Sequence, residues 1–67
     1  MSPEKYVGRI VRLNQRVFQE IAARARGRGE ALENLFLVSA VNREMRKLIC
    51  YGASLRIAVG AADVVLV

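Results

Sequence analysis

The chain has 67 residues, a net charge of +5, one cysteine and no histidine, and 54% of its residues are hydrophobic. A single cysteine excludes an intramolecular disulfide, and without histidine the usual zinc ligand sets are missing. A domain this small buries only about 60% of its unfolded surface, so we expect one domain over residues 1–67 whose core is completed by self-association.

All of the net positive charge lies in the first 28 residues, which hold seven basic and two acidic side chains. Residues 29–67 hold four of each sign and are neutral overall. Such an asymmetry is typical of a basic surface that meets an anionic partner. Nucleic acid is the first candidate partner, and an acidic protein is the second.

A first helix is predicted over residues 3–26. Ser2 can cap its start, and Pro3 suits the first helical position. A helical spacing of 100° per residue groups the apolar side chains in one sector and leaves a narrow basic stripe opposite it. Gly27 and Gly29 predict a turn over residues 27–29. The basic stripe consists of Lys5, Arg9, Arg12 and Arg16.

A second helix is predicted over residues 30–51, with acidic residues in its first turn and basic residues near its end. Its apolar arc is wide, because Leu32, Phe36 and Leu37 extend it beyond the central line. A wide arc indicates more than one packing neighbour. We expect one flank to pack on the first helix and another on the C-terminal segment or a second subunit.

Each predicted helix has an asparagine in the middle of its apolar sector. Folding the chain about Arg28 into an antiparallel hairpin brings Asn14 opposite Asn42. A buried amide needs a partner, and paired asparagines can fix helix register, so a contact between them is predicted within the chain or between subunits. The alternative is that each asparagine lies at a margin and is hydrated. The predicted interface residues are Asn14, Leu32, Phe36, Leu37 and Asn42.

A β-hairpin is predicted over residues 55–67. Apolar residues alternate from Leu55 to Val59, residues 60–63 have turn composition, and the segment from Val64 is β-branched. The inward residues would be 55, 57 and 59, with Arg56 facing out. A single strand or a helical continuation stays open. The predicted fold class is therefore α+β: an antiparallel two-helix hairpin followed by a C-terminal β-hairpin, completed by self-association.

The sequence contains no combination of nucleophile, base and orienting group, so we expect a protein that is not an enzyme and has no metal or cofactor. Cys50 lies in an apolar stretch and is predicted to be a buried, inert thiol. No signal peptide is evident, which favours a cytoplasmic location. A membrane span is not expected over residues 48–67, which include Arg56 and Asp63. The basic helix could lie on a membrane surface only if its apolar face were uncovered.

The functional prediction is a small basic oligomeric protein that contacts nucleic-acid phosphates through an arginine-rich helix face. The same charges could instead form an ordinary solvated helix face. A second hypothesis is a protein-interaction or assembly module that uses the apolar flank of the second helix and a strand edge. The predicted phosphate-binding residues are Lys5, Arg9, Arg12, Arg16, Arg24, Arg26 and Arg28.

A local stretch within residues 13–28, which contains Leu13-Asn14-Gln15 and Ala25-Arg26-Gly27-Arg28, resembles a region of Alba chromatin proteins. Those are dimeric proteins that bind DNA and RNA through basic loops. The resemblance implies a strand over residues 17–25, where the periodicity predicts a helix. The family's opening strand also has no counterpart before Tyr6, so the function prediction stays based on the charge pattern.

Overall fold

A computed structural model describes residues 3–29, 32–52 and 55–67 of the chain. In these ranges one helix and five strands form, with short 3₁₀ turns at Pro3–Tyr6 and Ala61–Asp63. The elements in chain order are β1 (Ile10–Leu13), α1 (Gln15–Gly27), β2 (Phe36–Asn42), β3 (Lys47–Gly52), β4 (Leu55–Gly60) and β5 (Val64–Leu66).

The five strands form one antiparallel sheet in the order β4-β3-β2-β1-β5. The prediction of a two-helix hairpin followed by a β-hairpin is therefore wrong. Most of the predicted second helix forms β2 and β3, and the two strands of the predicted hairpin lie at opposite edges of the sheet. β4 pairs with β3, and β5 pairs with β1.

The connection between the edge strands shows that the sheet is curled. Four strand spacings of a flat sheet would separate β4 from β5 by about 19 Å. Only Ala61–Asp63 joins Gly60 to Val64, and that link spans at most about 14 Å when extended. The edges must therefore approach each other. A register shift between Val38 and Ala40 in β2, where the strand bulges, is one of the places where such a sheet bends.

The core lies on the inner side of this curled sheet. Helix α1 covers it with Val17, Phe18 and Ile21, which are partly buried against the core cluster. Within the described ranges, no helix is long and apolar enough to cross a membrane. The buried cluster comprises Val11, Leu13, Phe36, Val38, Leu48, Cys50, Val59 and Val64.

Helix α1 begins at Gln15, twelve residues later than predicted. Gly8 has φ +81°, a left-handed conformation that interrupts a helix. The following strand alternates, with Val11 and Leu13 buried between exposed neighbours. Asn14 then caps the helix, because its Oδ1 accepts a hydrogen bond from the Val17 N–H at 2.9 Å.

Strand alternation explains why the predicted second helix does not form. Phe36 and Val38 are buried, whereas Leu37 between them is exposed, so apolar residues face both sides of a strand. The chain reverses between β2 and β3, where Asn42 Oδ1 accepts from the Met45 N–H at 3.1 Å and Arg46 has φ +55°. The wide apolar arc was thus produced by two alternating strands and not by a helix.

The two asparagines do not pair with each other within the chain. Asn14 Nδ2 donates to Asp63 Oδ1 at 3.0 Å, which ties the start of α1 to the segment before β5. Asn42 stabilises the turn after β2. The predicted intrachain contact is wrong because it depended on the helical hairpin, although each amide does have a partner.

Candidate nucleic-acid interface

The predicted basic stripe is dispersed over four different local structures. Lys5 lies in the first 3₁₀ turn, Arg9 precedes β1, Arg12 lies in β1 and Arg16 lies in the first turn of α1. The stripe required one continuous helix from residue 3, which the structure does not have. A single arginine-rich helix face over residues 5–16 is therefore ruled out as the binding surface.

Three arginines line one cleft at the other end of α1. Arg24 and Arg28 are four residues apart, one turn along the same side of the helix end, and Arg56 of the edge strand β4 lies at the border of the same cleft. They line a cleft of about 180 Å³, which we call the arginine cleft. Among the described residues, no carboxylate lines this cleft and none of the three arginines forms an ion pair. Its apolar lining is formed by Ile21, Ala25, Leu55 and Ile57.

The charged residues of the strands all have the same sign. The five strands, all within the described residues, contain only Arg12, Lys47 and Arg56 as charged side chains. Each alternates with buried or half-buried neighbours in its strand and so lies on the side of the sheet away from the core. This side, which we call the outer face, therefore carries cations and no carboxylate.

A row of paired residues crosses four strands on the outer face. Ile10 pairs with Leu37, Leu37 with Tyr51, and Tyr51 with Arg56. Paired residues on one face lie about 5 Å apart at their Cβ atoms, so the four side chains are neighbours. Ile10, Leu37 and Tyr51 are 43–45% exposed. We call these four residues the outer row; it ends at the arginine that also lines the cleft.

The described carboxylates lie outside the strands. Glu20 is on α1, Glu33 precedes β2, and Glu44 lies in the turn after β2. Asp63 bonds Asn14, and Glu4 forms an ion pair with Arg43. Residues 29–67 are neutral overall, but their described charges are separated in space. Glu33, Glu44 and Asp63 lie outside the strands, whereas Lys47 and Arg56 lie on the outer face.

The predicted interface residues have different surroundings. Phe36 is 1% exposed and belongs to the core, so it cannot present itself to a partner in this fold. Leu32 is half-buried and packs on the core cluster. Leu37, by contrast, is exposed in the outer row. The predicted apolar flank of a second helix does not exist, since these residues lie in or beside β2.

A second cleft, of about 610 Å³, lies between the first 3₁₀ turn, the β2–β3 turn and Ala61. Of its four charged side chains, all but Arg46 interact with one another or with its aromatic ring. Arg43 forms an ion pair with Glu4, and Lys5 Nζ lies 5.1 Å from the centre of the Tyr6 ring. This cleft therefore offers an incoming anion less free positive charge than the arginine cleft does.

Cys50 is a free and buried thiol, as predicted. Burial raises the pKa of the Cys50 thiol, which keeps it protonated and unreactive. Among the described residues, no group of three or more histidine, cysteine, aspartate or glutamate side chains is placed to hold a metal ion.

Sequence reasoning missed four residues of this surface: Ile10, Lys47, Tyr51 and Arg56. For Arg56 the signal was present, since the alternation over residues 55–59 places it outward and it is the only charge in its strand. Ile10, Lys47 and Tyr51 were assigned to helices, so their place on one face of a sheet was not predicted. The registers of Lys47 and Tyr51 with β2 and β4 depend on the pairing of strands, which the spacing within one element does not contain.

No family model, curated protein or solved structure matches this chain. The strand that the Alba resemblance implies over residues 17–25 is also not formed, because those residues lie within α1.

Proposed function

We propose that this chain is a non-catalytic nucleic-acid-binding protein that contacts phosphates through the arginine cleft and the cations of the outer face. The position of Arg24, Arg28 and Arg56 around one cleft carries the proposal. A guanidinium group binds phosphate through two parallel hydrogen bonds, and it stays charged at every physiological pH. Three such groups beside an apolar lining favour an anion over a neutral ligand.

The continuity of the positive surface favours a polyanion over a small acid. Arg56 belongs both to the cleft and to the outer row, and Arg12 and Lys47 add positive charge elsewhere on the outer face. The whole chain carries a net charge of +5. A nucleic-acid backbone presents phosphates at regular intervals, so it can occupy the cleft and the outer face together. The buried free thiol of Cys50 is compatible with the reducing cytoplasm that we propose as the location.

The test is fluorescence anisotropy with a labelled oligonucleotide across a salt series. We expect affinity to fall steeply between about 50 and 200 mM salt, because phosphate contacts release counterions. The triple variant Arg24→Gln/Arg28→Gln/Arg56→Gln should bind at least tenfold more weakly than wild type. Its salt slope should also be shallower by about two units, the loss expected for three phosphate contacts on a single strand.

The matched control is Arg9→Gln/Arg16→Gln/Arg46→Gln, which removes the same charge from exposed positions outside the cleft. This control should lose only long-range electrostatic attraction, so its affinity should fall a few-fold at low salt and less at high salt. Equal losses in the two triple variants would show diffuse attraction without a site. Absence of binding at low salt would rule out the proposed function.

A protein-assembly module is the second candidate function, favoured by the apolar part of the outer row. Ile10 and Leu37 are exposed aliphatic side chains in adjacent strands. Exposed apolar groups of this kind mark protein contacts in many small domains. This candidate predicts that Leu37→Asp reduces the solution mass measured by light scattering, whereas the arginine-cleft variant leaves the mass unchanged.

A further inference from the structure

The outer face places one aromatic ring within a row of apolar side chains. Tyr51 is flanked by Leu37 on β2 and by Arg56 on β4. The ring is 45% exposed, so part of its surface is available to a partner. An exposed aromatic ring beside an arginine can stack a nucleobase and contact the adjoining phosphate.

Cations lie on separate strands of this face. Arg56 ends the outer row on β4, while Arg12 lies on β1 opposite Val65 of β5. Lys47 lies at the opposite end of β3 from Tyr51. Apolar side chains between dispersed cations suit a ligand that has flat apolar groups along a charged backbone.

The chemistry of this face discriminates between two forms of nucleic acid. In a duplex the bases are stacked inside, and a protein meets phosphates and groove edges. An apolar row would then face the charged backbone without gain. In a single strand the bases can be splayed out onto apolar and aromatic side chains. The outer row therefore matches the single-stranded form.

The charge of the face also bears on whether a second copy of the chain covers it. If two outer faces met, each would bring Arg12, Lys47 and Arg56, and the described strands supply no carboxylate to pair with them. Like charges brought together in an interface oppose association. The same cations attract a polyanion, so charge complementarity favours nucleic acid over self-association at this surface.

Resting on the proposed nucleic-acid function, we infer that the ligand is single-stranded and that its bases lie on the outer row. Tyr51 stacks one base, and Leu37 and Ile10 contact the next. Arg56 binds the phosphate beside the stacked base and leads the backbone into the arginine cleft.

The test compares a labelled mixed-sequence strand of about 12 nucleotides, within the usual range of site sizes, with the duplex formed from its complement. We expect the single strand to bind at least tenfold more tightly. Tyr51→Leu keeps an apolar side chain but removes the ring, and should weaken single-strand binding about five- to fiftyfold. Tyr51→Phe should bind within about twofold of wild type.

The matched control is Met45→Ala, which truncates an exposed apolar side chain in the β2–β3 turn and should leave binding unchanged. Circular dichroism and thermal melting establish that each variant is folded. If Tyr51→Leu binds like wild type, or the duplex binds as tightly as the single strand, the inference is overturned. The proposed function survives that result if the arginine-cleft variant still binds more weakly than its control.

Self-association is measured in the same samples by light scattering. A monomer, or an oligomer that Leu37→Asp leaves intact, supports the inference because the outer face then stays accessible. An oligomer that Leu37→Asp dissociates, and that excludes the single strand, overturns it, because the outer face is then an interface between copies. Absence of binding to either form of nucleic acid removes both the inference and the proposed function.

Discussion

Phe36 and Leu37 are adjacent in β2, yet Phe36 is sealed inside the curled sheet and Leu37 lies on its outer face. The same division runs through β1, β3 and β4, where buried residues alternate with more exposed ones. The inner face is entirely apolar, whereas the outer face combines apolar side chains with cations. The inner residues stabilise the fold, and the outer residues are available to a partner.

Stability and binding should therefore be separable by mutation, even between neighbouring residues. A substitution on the inner face acts on packing, and its effect appears as a loss of unfolding free energy. A substitution on the outer face removes little packing, so its effect should appear in binding alone.

The largest difference in unfolding free energy is expected between Phe36→Ala and Leu37→Ala. Phe36 fills the core, so its truncation leaves a cavity and should cost about 3–5 kcal/mol of unfolding free energy. Leu37 is already partly hydrated, and its truncation should cost less than about 1 kcal/mol. Urea denaturation measures both. Similar losses would mean that the outer face is also packed, as a tightly self-associated protein would require.

Gly52→Ala tests how tightly the inner face is packed. An added Cβ would overlap the Phe36 ring and lie 3.0 Å from the Leu35 carbonyl oxygen. Overpacking of this kind costs about 1–3 kcal/mol. Gly27→Ala is the matched control, because its Cβ would meet nothing within 4 Å. Combining Gly52→Ala with Phe36→Leu should recover part of the unfolding free energy that Gly52→Ala loses. If the losses of the two single variants simply add, the Phe36 ring is not what the added methyl group overlaps.

Asn14→Ala should lower the unfolding free energy by about 1–2 kcal/mol, because α1 loses its cap. The bond to Asp63 is lost in the same variant. Asn42→Ala removes only an exposed turn bond and should cost less than about 1 kcal/mol. Thermal melting of the two variants shows which of them loses more stability. A larger loss for Asn42→Ala would indicate that this amide has a partner beyond the turn.

The smallest expected effect is on the pH dependence of stability. Because burial raises the pKa of the Cys50 thiol, the unfolded chain releases this proton at a lower pH than the folded chain does. The contribution of the buried, protonated thiol to the unfolding free energy is therefore complete below the ordinary thiol pKa of about 8.5, and it is lost as pH rises above that value. In Cys50→Val, stability should decline less between pH 7 and pH 9.5, by at most about 1.4 kcal/mol per pH unit. Equal slopes would contradict the burial of this thiol.

The local features of the fold could be predicted from the sequence. The apolar side of α1 contains Val17, Phe18 and Ile21, which the helical spacing had grouped together. The alternation that placed Val59 inward and Arg56 outward is also confirmed. These features depend on spacing within one element, and spacing is what a sequence displays directly.

The pairing of the strands could not be predicted from the sequence. The four residues of β1 match a helical pattern as well as an alternating one, and only Gly8 marked the break. The β2–β3 turn has Arg46 and not glycine in the left-handed conformation, so the usual turn signal was missing. β4 pairs with the preceding strand β3, but the edge position of β5 follows from its pairing with β1 at the other end of the chain.

The same limits apply to the candidate site. Arg24 and Arg28 were predicted from their charge, but their meeting with Arg56 joins residues about thirty positions apart. No structural role was predicted for Asn34. Its side-chain amide accepts from the Leu13 N–H at 2.8 Å and donates to the Leu13 carbonyl at 2.9 Å, in the manner of a neighbouring strand. No local pattern distinguishes such an asparagine from one in an ordinary loop.

The position of β1 between β2 and β5 has a consequence for how the chain acquires its structure. β1 is the first strand to be synthesised, but its second partner is residues 64–66. Asn14 likewise reaches its partner Asp63 across 49 positions. Contacts this distant slow folding, because long segments must close before the contacts form. While the ribosome still holds residues 64–66, one edge of β1 is unpaired, and the sheet closes only after those residues have been released.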